Sequence, residues 1–484
     1  MTTAIIGSGI TGMTAALLAR DAGEEVTLFE AKSRLAPLLS GFWHDGLYFD
    51  TGLHSLASLE KNGLLFNWLN ALGVLPHLGE ENIFRSQDEF RFVGTSPIVI
   101  GQWEKSISNV VSSLFSPEIF EKFCEFQRVC QEKIKQSPYR SRHIESFSDI
   151  LFQQQQSLTS VFSSFSFPPL LQALLGSYCL FFGCDTHQAS FFDFMLIGSL
   201  YMHSSFKIDG RGNRLVAAFS RALREAGVCL EPDCEVREIL VEDGRICALR
   251  LKDGEIFPCE NCVFTGHPMA LQKMLPKGCM RKAYFSHIAS MEETMASLCI
   301  FGECSEKYLE KTSVYLLPKG SHSLIVPLEE ENPTCYVSGG RGHDGRYPFV
   351  AVIPYTTKLP SNDPHPRPPS YLAWKERVTR NMVSYMKRRL PEIGTIRVHA
   401  SATELSMRHW VHGVSGSTYG ILHSVNATPI LPMTKIRGLV LAGQNILLPG
   451  ILGGIISAAL GIGFLFGHER ALRLFRRCAD EELS

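Results

Sequence analysis

The residues whose types and spacing could do chemistry stand at the two ends of the chain. Near the start, Gly7-Ser8-Gly9-Ile10-Thr11-Gly12 follows a short, partly β-branched run at 3–6 that reads as a strand. A helix-forming run from Met13 to Ala22 comes next and Gly23 closes it. Glu25 to Phe29 then reads as a second strand with Glu30 at its end. In such a unit Gly7 permits the tight turn, Gly9 lets backbone approach a pyrophosphate, and Gly12 lets the helix pack close to the strand. The helix N-terminus, Ile10 and Thr11 included, turns free N–H groups and a positive dipole end toward phosphates. Glu30, 18 residues after Gly12, is placed to accept hydrogen bonds from a ribose, and its charge disfavours a 2′-phosphate. Strand, turn, helix, strand and acid in register predict a dinucleotide site; the competing reading is a plain βαβ unit.

At the other end, Gly438 to Asn445 reads as a strand ending in a glycine turn, Gly443-Gln444-Asn445. Pro449-Gly450-Ile451-Leu452-Gly453-Gly454 then opens an apolar helix. This second N-terminus could aim N–H groups at an anionic or carbonyl-bearing ring. A second glycine match, Gly340-Arg341-Gly342-His343-Asp344-Gly345, follows a strand-like run at 334–337, but the segment 347–354 after it is β-branched and Pro-bounded. A hairpin or surface loop is predicted there, not a second nucleotide-binding domain.

The elements that hold these motifs belong to a large globular chain. Of 484 residues, 45% are apolar and 20% charged, which excludes disordered and fibrous classes. Lys+Arg number 47 against 48 Asp+Glu, so no positive field invites nucleic acid. The 31 Phe and a mean hydropathy of +0.04 suit a large apolar cavity or a membrane contact. The N-terminus does not have the basic stretch and longer apolar run of a secretory signal. The 14 Cys show no dense, regular spacing, and the one C-x-x-C, Cys259 to Cys262, has no second pair at zinc-ribbon spacing. No metal site is predicted, and the cysteines read as reduced thiols of a cytoplasmic protein.

Two further segments make a resemblance specific: Phe49-Asp50-Thr51-Gly52-Leu53-His54, and Ala442-Gly443-Gln444-Asn445 with Pro449-Gly450-Ile451-Leu452-Gly453. A middle block, Asp209-Gly210-Arg211-Gly212-Asn213-Arg214-Leu215 followed by Glu235-Val236-Arg237-Glu238-Ile239, and the loop Gly416-Ser417-Thr418-Tyr419-Gly420 add to it. Together they resemble the branch of phytoene desaturases, carotenoid isomerases and all-trans-retinol 13,14-reductases within the flavin amine oxidase superfamily. The resemblance spans about half the chain, in the family's order. It implies an α/β fold: a Rossmann-type FAD-binding domain with a discontinuous α+β substrate domain. It also implies non-covalent FAD held by Gly7, Gly9, Ile10, Thr11, Gly12, Glu30, Arg34, Gly52, Val236, Gly443, Gln444, Gly450, Ile451 and Leu452, with His54 and Tyr419 beside the flavin as candidate catalytic groups. One stretch departs from the pattern. Where the family carries Gly-Gly beside the reactive edge of the flavin, this chain has Ala36-Pro37, and proline removes an N–H and fixes φ.

From the order of these blocks the FAD-binding domain is expected in three pieces, 1–80, 205–275 and 400–484, with the substrate domain in the inserts 81–204 and 276–399. The first insert is Phe-rich: Phe162, Phe165, Phe167, Phe181, Phe182, Phe191, Phe192, Phe194 and Phe206 crowd one stretch. Ordinary core is one reading; the wall of a lipophilic tunnel or a membrane-dipping face is the other. Five prolines in 360–369 predict a rigid exposed loop. Residues 446–466 carry no charge and are followed by Arg470, Arg473, Arg476 and Arg477. By length this is a transmembrane candidate with a positive flank. Against a span stand its prolines and glycines and the family's use of this helix beneath the flavin; peripheral attachment through the basic tail is the milder form.

The resemblance implies that the isoalloxazine carries the redox chemistry while the protein orients substrate and excludes water. The expected reaction is saturation, desaturation or isomerisation of C=C bonds in a hydrophobic polyene or isoprenoid-like substrate. The electron donor or acceptor is not legible. His54 could exchange a proton with a carbon or polarise a substrate group, and Tyr419 could line the flavin face; for both, as for His409, Trp410 and His412, packing is the plain alternative. Two other functions compete: an amine oxidase-like oxidase, and a non-catalytic lipid-binding protein on a flavin scaffold.

Overall fold

The computed structural model describes residues 2–101, 106–136, 156–319, 323–356, 359, 367–411, 416–425, 427–471 and 473. A five-stranded parallel sheet draws its strands from distant parts of the chain, in the order Leu439–Leu441, Asn261–Phe264, Thr2–Ile6, Glu25–Phe29, Cys229–Glu231. The inner strands are buried almost end to end, Thr3, Thr27 and Asn261 included, as in a parallel sheet covered on both faces. The helix Ile10–Asp21 is the first crossover, ending where Gly23 takes φ +92°. The helix Gly450–Phe466 packs against it: a Cβ on Gly454 would stand 2.6 Å from Ile10 Cγ2 and 3.0 Å from Thr11 Oγ1. Small residues at this seam let the two helices touch.

A larger mixed sheet runs in the order Ile396–Ala402, Ala296–Cys304, Tyr347–Tyr355, Cys335–Gly339, Thr312–Leu317, Ile83–Phe92, Ile98–Ile100, and Ser205–Ile208 also pairs with Ile83–Phe92. The second glycine match joins two antiparallel neighbours of this sheet, so it is the hairpin expected. A small antiparallel meander spans Val236–Glu242, Arg245–Leu251 and Ile256–Pro258.

The Phe-rich stretch is core. Phe162, Phe167, Phe182, Phe191, Phe192 and Phe194 are buried in one cluster with Leu447, Leu448, Ile456 and Leu460 of the C-terminal helix region; Phe165 and Phe181 pack against it, and Phe206 belongs to the neighbouring core. The uncharged run 446–466 is likewise interior. Its helix is 17 residues long, and every position from Gly453 to Gly463 is buried. The run is apolar because protein covers it, in line with the prolines and glycines that stand against a span. Among the described residues no helix is long and apolar enough to cross a membrane. Of the basic flank, Arg473 places Nε 3.1 Å from Asp21 Oδ2, while Arg476, Arg477 and His412 lie outside the described residues. Residues 360–366 of the proline-rich segment also lie outside them, and Pro369 starts the helix Pro369–Arg389, where a proline has no intrahelical bond to lose. All the cysteines described are free thiols, Cys259 and Cys262 included.

Candidate functional site

The first crossover is built around its glycines. Gly7 has φ +98° and donates its N–H to Phe29 O at 2.9 Å. A Cβ on Gly12 would overlap the Gly7 carbonyl oxygen, whereas a Cβ on Gly9 would meet nothing within 4 Å. Gly12 therefore serves packing, and Gly9 faces open space. Gly9 caps the Ile10–Asp21 helix with no side-chain hydrogen bond, and no acid stands in the first turn, so its first N–H groups are unclaimed by side chains.

Glu30 is buried at the end of its strand. One carboxylate oxygen accepts from Ser8 N at 3.1 Å and Ser8 Oγ at 2.5 Å, and the other accepts from Lys32 N at 2.9 Å. Ser8 Oγ in turn accepts from Ala36 N at 2.8 Å, which ties the departing Ala36-Pro37 stretch to the fingerprint. Ala36 takes φ +41°, a left-handed conformation that suits the glycine it replaces. Its carbonyl accepts from Leu39 N and Ser40 N, so the N–H that Pro37 lacks is not what closes this turn. Arg34 is exposed and donates to Gly41 O at 2.6 Å, closing the same loop. Cys234 N donates to Glu30 O and Asp233 N to Lys32 O, which brings the start of the Val236 strand beside Glu30.

The C-terminal motif assembles next to the first. Gly443, at φ +116°, donates to Ser457 Oγ at 2.8 Å. Gln444 O accepts from His423 Nε2 at 2.7 Å. Asn445 Oδ1 accepts from Ile421 N at 3.0 Å and lies where a Cβ on Gly420 would be, which locks the 416–420 loop to this turn. Gly450 opens its helix at φ +82° behind Pro449, with no side-chain cap and no acid in the first turn; Ile451 and Leu452 are half-buried there. Two uncapped helix N-termini thus meet at the carboxyl ends of parallel strands, the crevice where this class of sheet binds ligands.

His54 and Tyr419 both neighbour Tyr336. The His54 ring is 6.1 Å from the Tyr336 ring. Burial, then the positive charges of Arg211 and Lys207, hold the His54 imidazolium off and lower its pKa to about 3. Its Nδ1 is buried without a protein partner. The Tyr419 phenol is pushed up by burial and then by the Tyr336 and Cys299 groups, so it stays protonated. Its N–H donates to Thr294 Oγ1 at 3.0 Å. Gly52 is exposed two residues before His54, close over the Leu38 carbonyl.

Several charged groups around His54 were not among the residues singled out from sequence. Arg211, itself at φ +47°, is buried with Nη1 3.6 Å from Asp50 Oδ2. Burial raises Asp50 to about 6 against the pull of Arg211. Lys207 Nζ donates to the carbonyls of Leu309, Thr312 and Gly339 at 2.8, 3.3 and 3.3 Å, and burial lowers its pKa well below the usual value. Burial raises Asp88 to about 7. Asp50 and Arg211 sit inside the quoted motifs; for Asp50, a charge between Phe49 and Thr51-Gly52-Leu53 was the available signal, whereas Arg211 stands among other polar residues and nothing set it apart. For Lys207 and Asp88 no spacing marks them, since strand pairing alone makes them neighbours. A cavity of about 360 Å³ lies beside Arg211, lined by Trp43, Tyr48, Phe49, Ile208 and Phe349 among others. The glycine fingerprint and the 443–452 motif do not line it, so it is distinct from the crevice between the two helix N-termini.

Comparison with known proteins agrees with this architecture and with the resemblance read from the sequence. Residues 5–72 match the NAD(P)-binding Rossmann-like domain. The chain is 20% identical over 517 aligned positions to all-trans-retinol 13,14-reductase of Homo sapiens, covering 94% of this chain and 84% of that protein. It is 24% identical over 292 positions to 4,4'-diapolycopene oxygenase of Methylomonas sp, covering 56% of this chain and 57% of that one. Among solved structures, an oxidoreductase from Methanosarcina mazei superposes with a TM-score of 0.65 at 16% identity, covering 95% of this chain and 99% of its own. The chain therefore has an oxidoreductase-type α/β fold with a Rossmann-like nucleotide-binding unit.

Proposed function

We propose that this chain is an FAD-dependent oxidoreductase acting on C=C bonds of a hydrophobic polyene or isoprenoid-like substrate, by saturation, desaturation or isomerisation. The observation that carries the reading is the pair of uncapped helix N-termini in contact at Gly454, Ile10 and Thr11. The similarity to a retinol reductase along 94% of the chain supports the substrate class. The cradle fits an elongated dinucleotide: Gly9 and Gly450 each leave open space where a side chain would stand, and neither helix carries an acid in its first turn.

In this reading Gly7, Gly9, Ile10, Thr11 and Gly12 hold the pyrophosphate, and Glu30 takes a ribose with its remaining acceptor capacity. Val236 borders the adenine. Arg34 and Gly52 shape the loop over the ring, and Gly443, Gln444, Gly450, Ile451 and Leu452 lie under it. The bound flavin supplies hydride transfer. The chain supplies position, dryness and protons. The neutral His54 imidazole has an unpartnered Nδ1, so it polarises or exchanges one proton at that atom but does not act as a standing cation. The Tyr419 phenol, held protonated, donates rather than accepts. The five-stranded sheet and its helices form the cofactor half, and the mixed sheet with the Phe-rich core forms the substrate half. Contact with a membrane surface through the basic C-terminal tail is part of the same proposal.

The test is the visible spectrum of purified chain before and after incubation with FAD and desalting, followed by polyene turnover. A retained flavin band that dithionite bleaches is expected, together with loss or shift of polyene absorbance. Folded protein that retains no flavin in either sample overturns the cofactor assignment. Flavin-loaded protein that changes no polyene or isoprenoid overturns the substrate class.

A further inference from the structure

We propose that His44, Asp45 and His399 form a binding site for a divalent transition metal of the zinc class, which clasps the 42–49 hairpin to the edge of the mixed sheet. The three residues come from opposite ends of the chain, and no sequence spacing announces them. His44 ends the strand Phe42–His44, and Asp45-Gly46 is a two-residue turn with φ +49° and +77°, the pattern of a tight hairpin. His399 lies on Ile396–Ala402, the outermost strand of the mixed sheet.

One ligand atom from each residue falls within 4.8 Å of the other two. His399 Nδ1 is 3.5 Å and His44 Nε2 is 3.7 Å from the same oxygen, Asp45 Oδ2. Bonds of about 2.0–2.1 Å to a tetrahedral zinc put neighbouring ligand atoms roughly 3.4 Å apart; both contacts to Asp45 are already near that spacing, and the two imidazoles would close on the metal from within 4.8 Å.

A carboxylate behind His399 adds a second observation. The His399 side chain is 2% exposed, with Asp45 at Nδ1 and Glu303 Oε2 3.2 Å from Nε2. A metal on Nδ1 with a carboxylate beside Nε2 is the carboxylate–histidine–metal arrangement of many metal sites. Two imidazoles and one carboxylate select zinc, cobalt, nickel or copper over magnesium or calcium.

The competing cation is Arg397. Its Nη2 is 3.9 Å from Asp45 Oδ2 and its Nη1 3.8 Å from Glu303 Oε1, both long contacts from a side chain that is 66% exposed. Arg346 stays on Glu303, with Nη2 at 2.6 Å, and supports that carboxylate without occupying the site. The hairpin's second strand runs on into Asp50 and His54, so the metal would stiffen the segment that carries them.

The experiment is zinc titration of the untagged, chelator-treated full chain against a chromogenic chelator, repeated with His44→Ala, Asp45→Asn and Glu303→Gln. His44 and Asp45 are exposed, and asparagine tolerates the left-handed turn, so the first two variants keep the fold. One saturable equivalent is expected in the parent chain. It should disappear in His44→Ala and Asp45→Asn, and weaken about 10–100-fold in Glu303→Gln. Zinc bound equally well by His44→Ala and Asp45→Asn places it elsewhere, on cysteines for example, and overturns the proposal. So does a parent chain that binds no zinc.

Discussion

Gly9 and Gly12 belong to one motif, yet the structure assigns them different duties, and a matched pair of alanine variants separates the two. In Gly12→Ala the added methyl would overlap the Gly7 carbonyl oxygen and come within 3.0 Å of the Gly7 carbonyl carbon. The helix cannot retreat freely, because its first turn is already pressed against Gly454. Overpacking of this kind costs about 1–3 kcal/mol, and the better helix propensity of alanine returns about 1 kcal/mol. Because the clash is with a backbone oxygen, the upper end of the first range, about 2–3 kcal/mol, applies, so a net loss of about 1–2 kcal/mol in urea unfolding is expected, with flavin retention lost as the turn shifts. In Gly9→Ala the methyl meets no protein atom within 4 Å, and the backbone, at φ −58° and ψ 175°, is open to any residue. Stability without cofactor should be unchanged or rise by up to about 1 kcal/mol. Flavin content after desalting should nevertheless fall, because that space is where the pyrophosphate would lie. Two assays on each variant decide the matter: the urea midpoint, and the flavin-to-protein absorbance ratio. A Gly9→Ala protein that retains flavin like the parent would refute the cradle. A Gly12→Ala protein of parental stability would refute the packing argument.

Other consequences can be checked separately. Ser8→Ala removes the hydroxyl that links the buried Ala36 N–H to Glu30. An unsatisfied buried donor costs about 1–3 kcal/mol, to be read as a lower urea midpoint. His54 should show no titration between pH 5 and 8 by NMR, since its pKa is held to about 3; a midpoint near 6.5 would show that the site is wetter than the buried geometry requires. Asp50 has a folded pKa of about 6 against an ordinary 3.8. Its contribution to stability is therefore fully present below pH 3.8 and is lost as pH rises through 6. Roughly 3 kcal/mol of pH dependence, as an upper bound, follows from that difference. The gap between Asp50→Asn and parent unfolding free energies should change over this window, and a constant gap would count against the raised pKa.

How much of this was legible depends on whether the signal was local. The fingerprint was legible because Gly7, Gly9, Gly12 and Glu30 lie within one βαβ unit, and Gly7 and Gly12 answer demands of turn and packing that show as spacing. The C-terminal motif was legible for the same reason: its turn and helix start lie within a dozen residues. What was not legible came from sheet pairing across long stretches of chain. Lys207 reaches three carbonyls only because Ser205–Ile208 pairs with Ile83–Phe92, which lies beside Thr312–Leu317. The 446–466 run misleads for a related reason, since composition records that a segment avoids water but not whether lipid or protein shields it. Here the Ile10–Asp21 helix and the Phe-rich core do so. Ala36 shows the reverse case. It breaks the glycine pattern in sequence, yet the left-handed turn survives, because Leu39 and Ser40 supply its hydrogen bonds and Ser8 holds its N–H. A left-handed alanine costs about 1–2 kcal/mol, comparable to what those bonds contribute. The departure is thus absorbed by the loop itself, and it is not a reason to read the flavin cradle as disabled.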